Sequence, residues 1–333
     1  MARRKKGRRV HGWLALDKPL HMTSTQAVGA VKRLFDAQKA GHAGTLDPLA
    51  TGILPIALGE ATKTVPYAVD GVKSYRFTVR WGIETSTDDT EGEPTAISDK
   101  RPTREEIEAC LPQFRGEIRQ VPPQFSAIKV DGQRAYDLAR DGEKVVLEAR
   151  DVRIEELRIE DEQDTETPET ETRMTIDAPA SQTSDANPPD PDTTTFVAVC
   201  GKGTYVRSLA RDIGRTLDCY GHVISLRRTQ VGPFAEAEAV TIETLQALAK
   251  TNEIDTALQA VEAALDNLLH VPVSGSDATR LARGQTVIMR GRDAPIIVGM
   301  GYATHKGRLL ALVEMEKGEI RPTRVFNLEN TPL

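Results

Sequence analysis

The sequence predicts a mixed α/β (α+β) fold with a small β-rich domain toward its C-terminal end. Apolar strand-like runs and amphipathic helix-like runs are interspersed without the regular βαβ alternation of a doubly wound sheet. Gly and Pro cluster between these runs as turns, and roughly the last 60 residues break into short β-patterned runs separated by Gly. With 333 residues, 39% of them hydrophobic, the chain is long enough for one large domain and a small one.

Taken in order, residues 1–9 are a basic arm containing RRKKGRR; its charge suits phosphate contact or a solvated tail equally well. GWLALDKPLHMTSTQAVGAVKRLF reads as a strand, a turn at Asp17, Lys18 and Pro19, then a helix. Thr23 and Gln26 have capping-box spacing, and Val28, Val31 and Phe35 share a helical face. GHAGTLDPLATGILP follows, where Gly41, Gly44, Pro48 and Gly52 surround a single acid, Asp47. Gly and Pro at that density fix an irregular backbone, the kind of segment that displays a reactive side chain.

In KSYRFTVRW, Tyr75, Phe77, Val79 and Trp81 alternate with more polar neighbours as in a half-buried strand. TREEIEACLPQFRG has a second capping box, Thr103 with Glu106, and predicts a helix ending near Gly116. QVPPQFSAIKVDGQRAYDLARDGEKV, with a turn from Lys129 to Gly132 and the bases Lys129, Arg134, Arg140 and Lys144, reads as an excursion from the sheet. Residues 150–159 and 195–200 read as two strands. The next stretch, GKGTYVRSLARDIGRTLDCYGHVISLRRTQVGPF, reads as turn, helix and strand. Tyr205 and Arg207 lie on one side if the chain is extended there, and a helix starting at Tyr205 separates them.

Residues 160–195 hold eleven Asp or Glu against one Arg, a local charge of −10; the net charge is −6, which leaves +4 elsewhere. This Thr-, Pro-, Ser- and acid-rich stretch lacks the apolar residues of a core and is expected to be a disordered surface insertion. The acidic total therefore does not exclude a nucleic-acid partner. Cys110, Cys200 and Cys219 have no CxxC spacing and no His cluster beside them, so neither a disulfide framework nor a metal site is expected. No apolar run approaches membrane-spanning length and no signal peptide is recognisable, so the expected location is the cytoplasm. Neither a P-loop nor a dinucleotide fingerprint is present.

Six motifs, DKPLHMTS, GHAGTLDPLATGILP, KSYRF, PPQFSAIKVDGQRAYDLAR, CGKGTYVRSLARDIG and HVISLRRTQVGPF, occur in one order. In that order the chain resembles the bacterial tRNA pseudouridine-55 synthases, the stand-alone TruB-type branch of the pseudouridine synthases. The resemblance implies a bent, mostly antiparallel pseudouridine-synthase sheet flanked by helices, in a catalytic domain over residues 10–265. It further implies a thumb-like insertion at about 120–147 and a PUA-like RNA-binding domain at 270–328. His21 stands where the family usually has Gly, and Gly201 where it often has Ser.

The implied reaction detaches uracil from the sugar of the T-loop uridine at position 55, rotates it and rejoins it through carbon, which requires the base to be flipped out of the RNA. By resemblance, Asp47 is the nucleophile, at the sugar C1′ or the uracil C6, and Arg207 is its cationic partner. Tyr75 stacks on the base and moves a proton late in the reaction. Tyr205 and Leu226 contact the base, His42 fills the space it vacates, and Lys18 supports the site. Lys129 and Arg134 contact RNA. The resemblance implies the tRNA T arm as partner. The rival reading is a tRNA-binding folding factor whose catalysis is incidental, an activity that could coexist with the enzyme's, and the intact Asp47 motif favours the enzyme. The resemblance implies neither guide RNA, cofactor, metal, membrane nor obligate protein partner, and a monomer is expected.

Overall fold

The computed structural model describes residues 7–126, 129–130, 133–134, 147–161, 190, 192–288 and 298–328. They fall into two units, one of residues 1–73 with 227–333 and one of residues 74–226.

The first unit opens with β1 (Gly12–Lys18) and α1 (Ser24–Leu34). Thr23 and Gln26 close the expected capping box at the start of α1. Ala27, Val31 and Phe35 are buried, so the apolar face is the one that the spacing predicts, with Val28 at its edge. The expected turn at Asp17 to Pro19 sits later: Asp17 and Lys18 belong to β1, and His21 makes the turn at φ 62°. That left-handed angle costs a non-glycine residue about 1–2 kcal/mol, and the His21 N–H donates to the Pro48 carbonyl at 2.7 Å. A histidine thus holds a backbone shape suited to glycine. β2 (Ala40–His42) and β3 (Ala50–Leu58) follow, and β3 pairs antiparallel with both β1 and β2. A 3-10 turn, Gly59–Lys63, leads into α2 (Val65–Asp70).

The second unit takes up nearly all of β4 (Lys73–Trp81), whose side chains alternate between buried and more exposed as the sequence predicts. β5 (Ile83–Thr85) and β6 (Pro94–Ile97) form a hairpin around residues 86–93. α3 (Arg104–Cys110) carries the second capping box. It stops short of Gly116 because Pro112 converts the next residues, Leu111–Phe114, into a 3-10 turn. Then come β7 (Gly116–Gln120), the short pair β8 (Lys129–Val130) and β9 (Gln133–Arg134), β10 (Arg150–Ile159) and β11 (Thr193–Cys200). β10 pairs antiparallel with β7 and β11. α4 (Val206–Thr216) and β12 (Gly221–Val231) complete the stretch, and within this unit the strand order is β12, β4, β11, β10, β7. Phe77 stacks on Phe196 at 5.3 Å while Trp81 meets Phe196 edge-on at 6.2 Å. Each such buried ring contributes about 1.5–3 kcal/mol. The remainder of the thumb-like stretch (127–128, 131–132, 135–146) and residues 162–189 and 191 of the acidic insertion lie outside the described residues.

The chain re-enters the first unit within β12 and continues through β13 (Phe234–Ala235), α5 (Ile242–Lys250) and β14 (Leu269–Pro272). α6 (Gly275–Ala282), β15 (Val287–Ile288), β16 (Gly299–His305), β17 (Arg308–Glu316) and β18 (Glu319–Val325) follow. The five strands order as β14, β16, β17, β18, β15, with β14 parallel to β16 and the other pairs antiparallel. This sheet has apolar residues on both faces. Val271, Leu281, Ala303, Val313, Met315 and Ile320 form one cluster. Leu309, Leu312 and Phe326 join a second cluster with Trp13, Ile53, Phe234 and Leu265. Trp13 tilts against Phe234 at 5.0 Å and donates its indole N–H to Thr64 Oγ1 at 3.0 Å.

Candidate active site

Asp47 sits half-buried on the loop between β2 and β3, and three side chains pin that loop. Ser24, at the start of α1, donates its hydroxyl to the Leu46 carbonyl and accepts the Leu46 N–H, each at 2.9 Å. The Lys18 ammonium, fully buried, donates to the carbonyls of Pro19 at 2.9 Å, Met22 at 2.8 Å and Pro48 at 3.5 Å. Arg228, from β12, donates Nε to the Ile53 carbonyl at 2.8 Å, Nη1 to Thr45 at 3.3 Å and Nη2 to Gly44 at 3.1 Å. The Ala50 N–H closes the turn onto the Asp47 carbonyl at 3.1 Å.

Gly52 has no alternative at its position. Its φ is 96°, and a Cβ there would lie 2.2 Å from the Arg228 carbonyl, so the glycine permits the close approach of β3 and β12 that brings Arg228 to the loop.

Burial pushes the Lys18 ammonium down to about 8; Asp47 works against that shift and Arg228 with it. His42, at the end of β2, is also lowered, first by burial and then by Arg228, with the Gly44 backbone opposing. Among the described residues its buried Nδ1 has no hydrogen-bond partner. On the opposite side chain parity of β1, Asp17 takes a two-pronged grip from Arg227 at 3.0 and 2.8 Å. Arg227 also binds Glu236.

In the second unit Tyr75 lies in the buried row of β4, 9% exposed. Tyr205 is the N-cap of α4, and the Gln120 side-chain amide holds its backbone from both sides: Tyr205 N–H to Oε1 at 2.8 Å and Nε2 to the Tyr205 carbonyl at 3.1 Å. α4 begins at Val206, one residue after the start that would separate Tyr205 from Arg207, and Tyr205 itself is extended at φ −108° and ψ 111°. Leu226 is buried on β12.

Arg207 is buried. It donates to the Thr87 carbonyl at 3.0 Å, Asp89 Oδ2 at 3.2 Å and the Phe125 carbonyl at 3.0 Å. One turn on, Arg211 binds Asp88 at 2.9 Å, Asp212 at 2.9 Å and the Val121 carbonyl at 2.8 Å. A further turn on, Arg215 grips Glu84 with two bonds of 2.7 Å. Three arginines spaced four apart on α4 thereby meet three acids of the 84–89 segment. Burial pushes the Asp88 carboxyl up to about 6 despite Arg211 and Arg207.

Arg228, Arg211 and the acids Glu84, Asp88 and Asp89 were not expected from the sequence. The spacing of Arg207, Arg211 and Arg215 and the period-two placement of Arg228 after Leu226 were the available signals. The backbones of Lys129 and Arg134 pair with each other in β8 and β9. Cys110, Cys200 and Cys219 are buried free thiols. Among the described residues, no cluster of His, Cys, Asp and Glu could hold a metal, and no helix is long and apolar enough to cross a membrane.

An irregular loop that presents one carboxylate from a pinned backbone, in a mixed α/β scaffold, is chemically suited to nucleophilic or acid–base work. Known proteins specify the class. The TruB family pseudouridylate synthase (N terminal domain) matches residues 32–206, and the tRNA pseudouridylate synthase B C-terminal domain matches residues 207–269. A Nitrobacter winogradskyi protein is 56% identical over 98% of this chain and 85% of its own length. A Rhodopseudomonas palustris protein is 54% identical over 98% and 83%, and a Brucella melitensis protein 51% over 98% and 99%. All three bear the name tRNA pseudouridine synthase B.

Among solved structures, a Cbf5-Nop10-Gar1 complex aligns at TM-score 0.66 and 24% identity, covering 95% of this chain and 84% of the other. An H/ACA RNP bound to a substrate RNA containing 2'-deoxyuridine aligns at TM-score 0.67 and 21% identity, covering 99% and 92%. These two share the fold. The chain belongs to the TruB family of pseudouridine synthases.

Proposed function

We propose that this chain is an isomerase that converts a tRNA uridine to pseudouridine, the T-loop uridine at position 55. The observation that carries the reading is family membership, with 56% identity to the Nitrobacter winogradskyi protein, together with the carboxylate of that family's motif on a loop pinned by Ser24, Lys18 and Arg228. The reaction moves the sugar bond from a ring nitrogen to a ring carbon, with a proton leaving that carbon and one returning to the nitrogen, so nothing is oxidised or reduced. A base within stacked RNA cannot turn over, and the enzyme must flip it.

The roles proposed are Asp47 as nucleophile, Tyr75 as stacking surface and proton carrier, Arg207 as the nucleophile's cation, and Tyr205, Leu226 and His42 as groups that seat the base or its vacancy. The buried Lys18 is a support, since its ammonium is engaged by carbonyls. Lys129 and Arg134 are proposed to meet RNA phosphates, so affinity falls steeply with salt. The domain bounds proposed are 10–265 for catalysis and 270–328 for a PUA-like RNA-binding domain. The enzyme is proposed to act as a cytoplasmic monomer, and to need neither cofactor nor guide RNA.

The test is tritium release from an unmodified T-arm hairpin carrying label at C5 of its uridines, with purified protein alone. Turnover without added RNA or cofactor is expected. Asp47→Asn should lower it by about three orders of magnitude or more while leaving hairpin binding intact. Unchanged turnover in that variant removes Asp47 from the chemistry.

A further inference from the structure

Arg228 is 1% exposed and among the largest fully buried side chains. Among the described residues it makes no ion pair; its donors go to three carbonyls, Ile53, Thr45 and Gly44. A buried cation without a carboxylate is costly, and an apolar side chain of similar volume would fill the same space more cheaply. The structure nevertheless accommodates it with a glycine at φ 96° whose replacement by any side chain would strike the Arg228 backbone. What an apolar side chain cannot do is bind both ends of the loop: Gly44 and Thr45 precede Asp47, and Ile53 follows it in β3.

We propose that Arg228 is a positioning residue for the isomerisation: its planar fork clamps the two limbs of the 43–53 segment and so fixes the direction in which Asp47 is presented. The inference rests on the reading of Asp47 as nucleophile. Lysine cannot substitute, because a single ammonium lacks the fork's fixed spread of donors. Arg228 also acts on the neighbours of Asp47, since its charge disfavours protonation of both Lys18 and His42.

The experiment measures single- and multiple-turnover kinetics of full-length Arg228→Lys and Arg228→Met on the T-arm hairpin, with thermal melts to establish folding. A misdirected reactive group costs on the order of a hundredfold. The expected result is a kcat loss of about tenfold to a hundredfold in Arg228→Lys and at least about a hundredfold in Arg228→Met, each with KM within about twofold of the wild type. In Arg228→Ala, millimolar guanidinium should restore part of kcat. NMR of the Lys18 side chain should show its pKa rising in Arg228→Met and staying put in Arg228→Lys. If Arg228→Met does not fold, the Lys variant and the guanidinium rescue of the Ala variant decide the matter by themselves. A folded variant with wild-type kcat, or one whose loss lies wholly in KM, overturns the proposal. Full activity in Asp47→Asn instead overturns the reading beneath it, so the two failures are distinguishable.

Discussion

Two segments of this protein are each held by arginine, and they are held differently. Arg228 grips the Asp47 loop through neutral carbonyls, whereas Arg207, Arg211 and Arg215 grip the 84–89 segment through Asp89, Asp88 and Glu84. In the second case each guanidinium meets at least one carboxylate, so its charge is offset locally. In the first, carbonyl dipoles solvate the guanidinium without neutralising it, and its charge remains to act on the groups around it. The same side chain therefore serves as a strut in one unit and as a strut with a field in the other.

The largest effect is expected at Asp88. Truncation to Ala leaves Arg211 buried with Asp212 and one carbonyl, so Asp88→Ala should destabilise the protein by about 3 kcal/mol, at the lower end for breaking a buried pair. Urea unfolding at pH 7 measures it, and a loss under about 1 kcal/mol would show that Asp212 alone suffices.

Next come two pH windows of opposite sign. Lys18 is depressed to about 8 from 10.5, so between those values the unfolded chain binds more protons than the folded one and stability rises with pH. Asp88 is raised to about 6 from 3.8, so across that window the folded chain binds more protons and stability falls as pH rises. Urea midpoints through both windows should lose the first slope in Lys18→Met and the second in Asp88→Ala. Slopes that persist in those variants assign the protons elsewhere.

The smallest effect expected is at Glu84. Arg215 is 54% exposed, so Glu84→Gln should cost no more than about 0.5–1 kcal/mol, and salt should diminish it. A larger loss would mean that the ladder acts as one unit, which a double variant with Asp88→Ala would reveal as non-additivity.

Local chemistry was the legible part of this fold. The capping boxes at Thr23 and Thr103 and the alternation through Tyr75 to Trp81 depend on neighbours a few residues away, and they stand as the sequence predicts. Misjudged ends had local causes too: Pro112 shortened α3, and β1 carried through Lys18 because its ammonium found carbonyls inside the protein. Asp47 stood out because glycine and proline surrounded it. The clamps did not, because Asp89 and Asp88, the acids that Arg207 and Arg211 bind across the unit, lie 118 and 123 positions away in sequence. The Arg228 carbonyls are farther still, 175 to 184 positions away, and backbone oxygens leave no trace in composition.

The apolar cluster that unites Trp13, Ile53 and Phe234 with Leu309, Leu312 and Phe326 also bears on the order of assembly. The second unit is one unbroken stretch, complete once residue 226 has been synthesised, but the first is two stretches, and its core is unfinished until Phe326 has been made. During synthesis the early strands of the first unit lack their apolar partners until the 309–326 stretch has been made, and contacts across so long a sequence separation form slowly. The loop that carries Asp47 belongs to the unit whose apolar cluster closes only with Phe326.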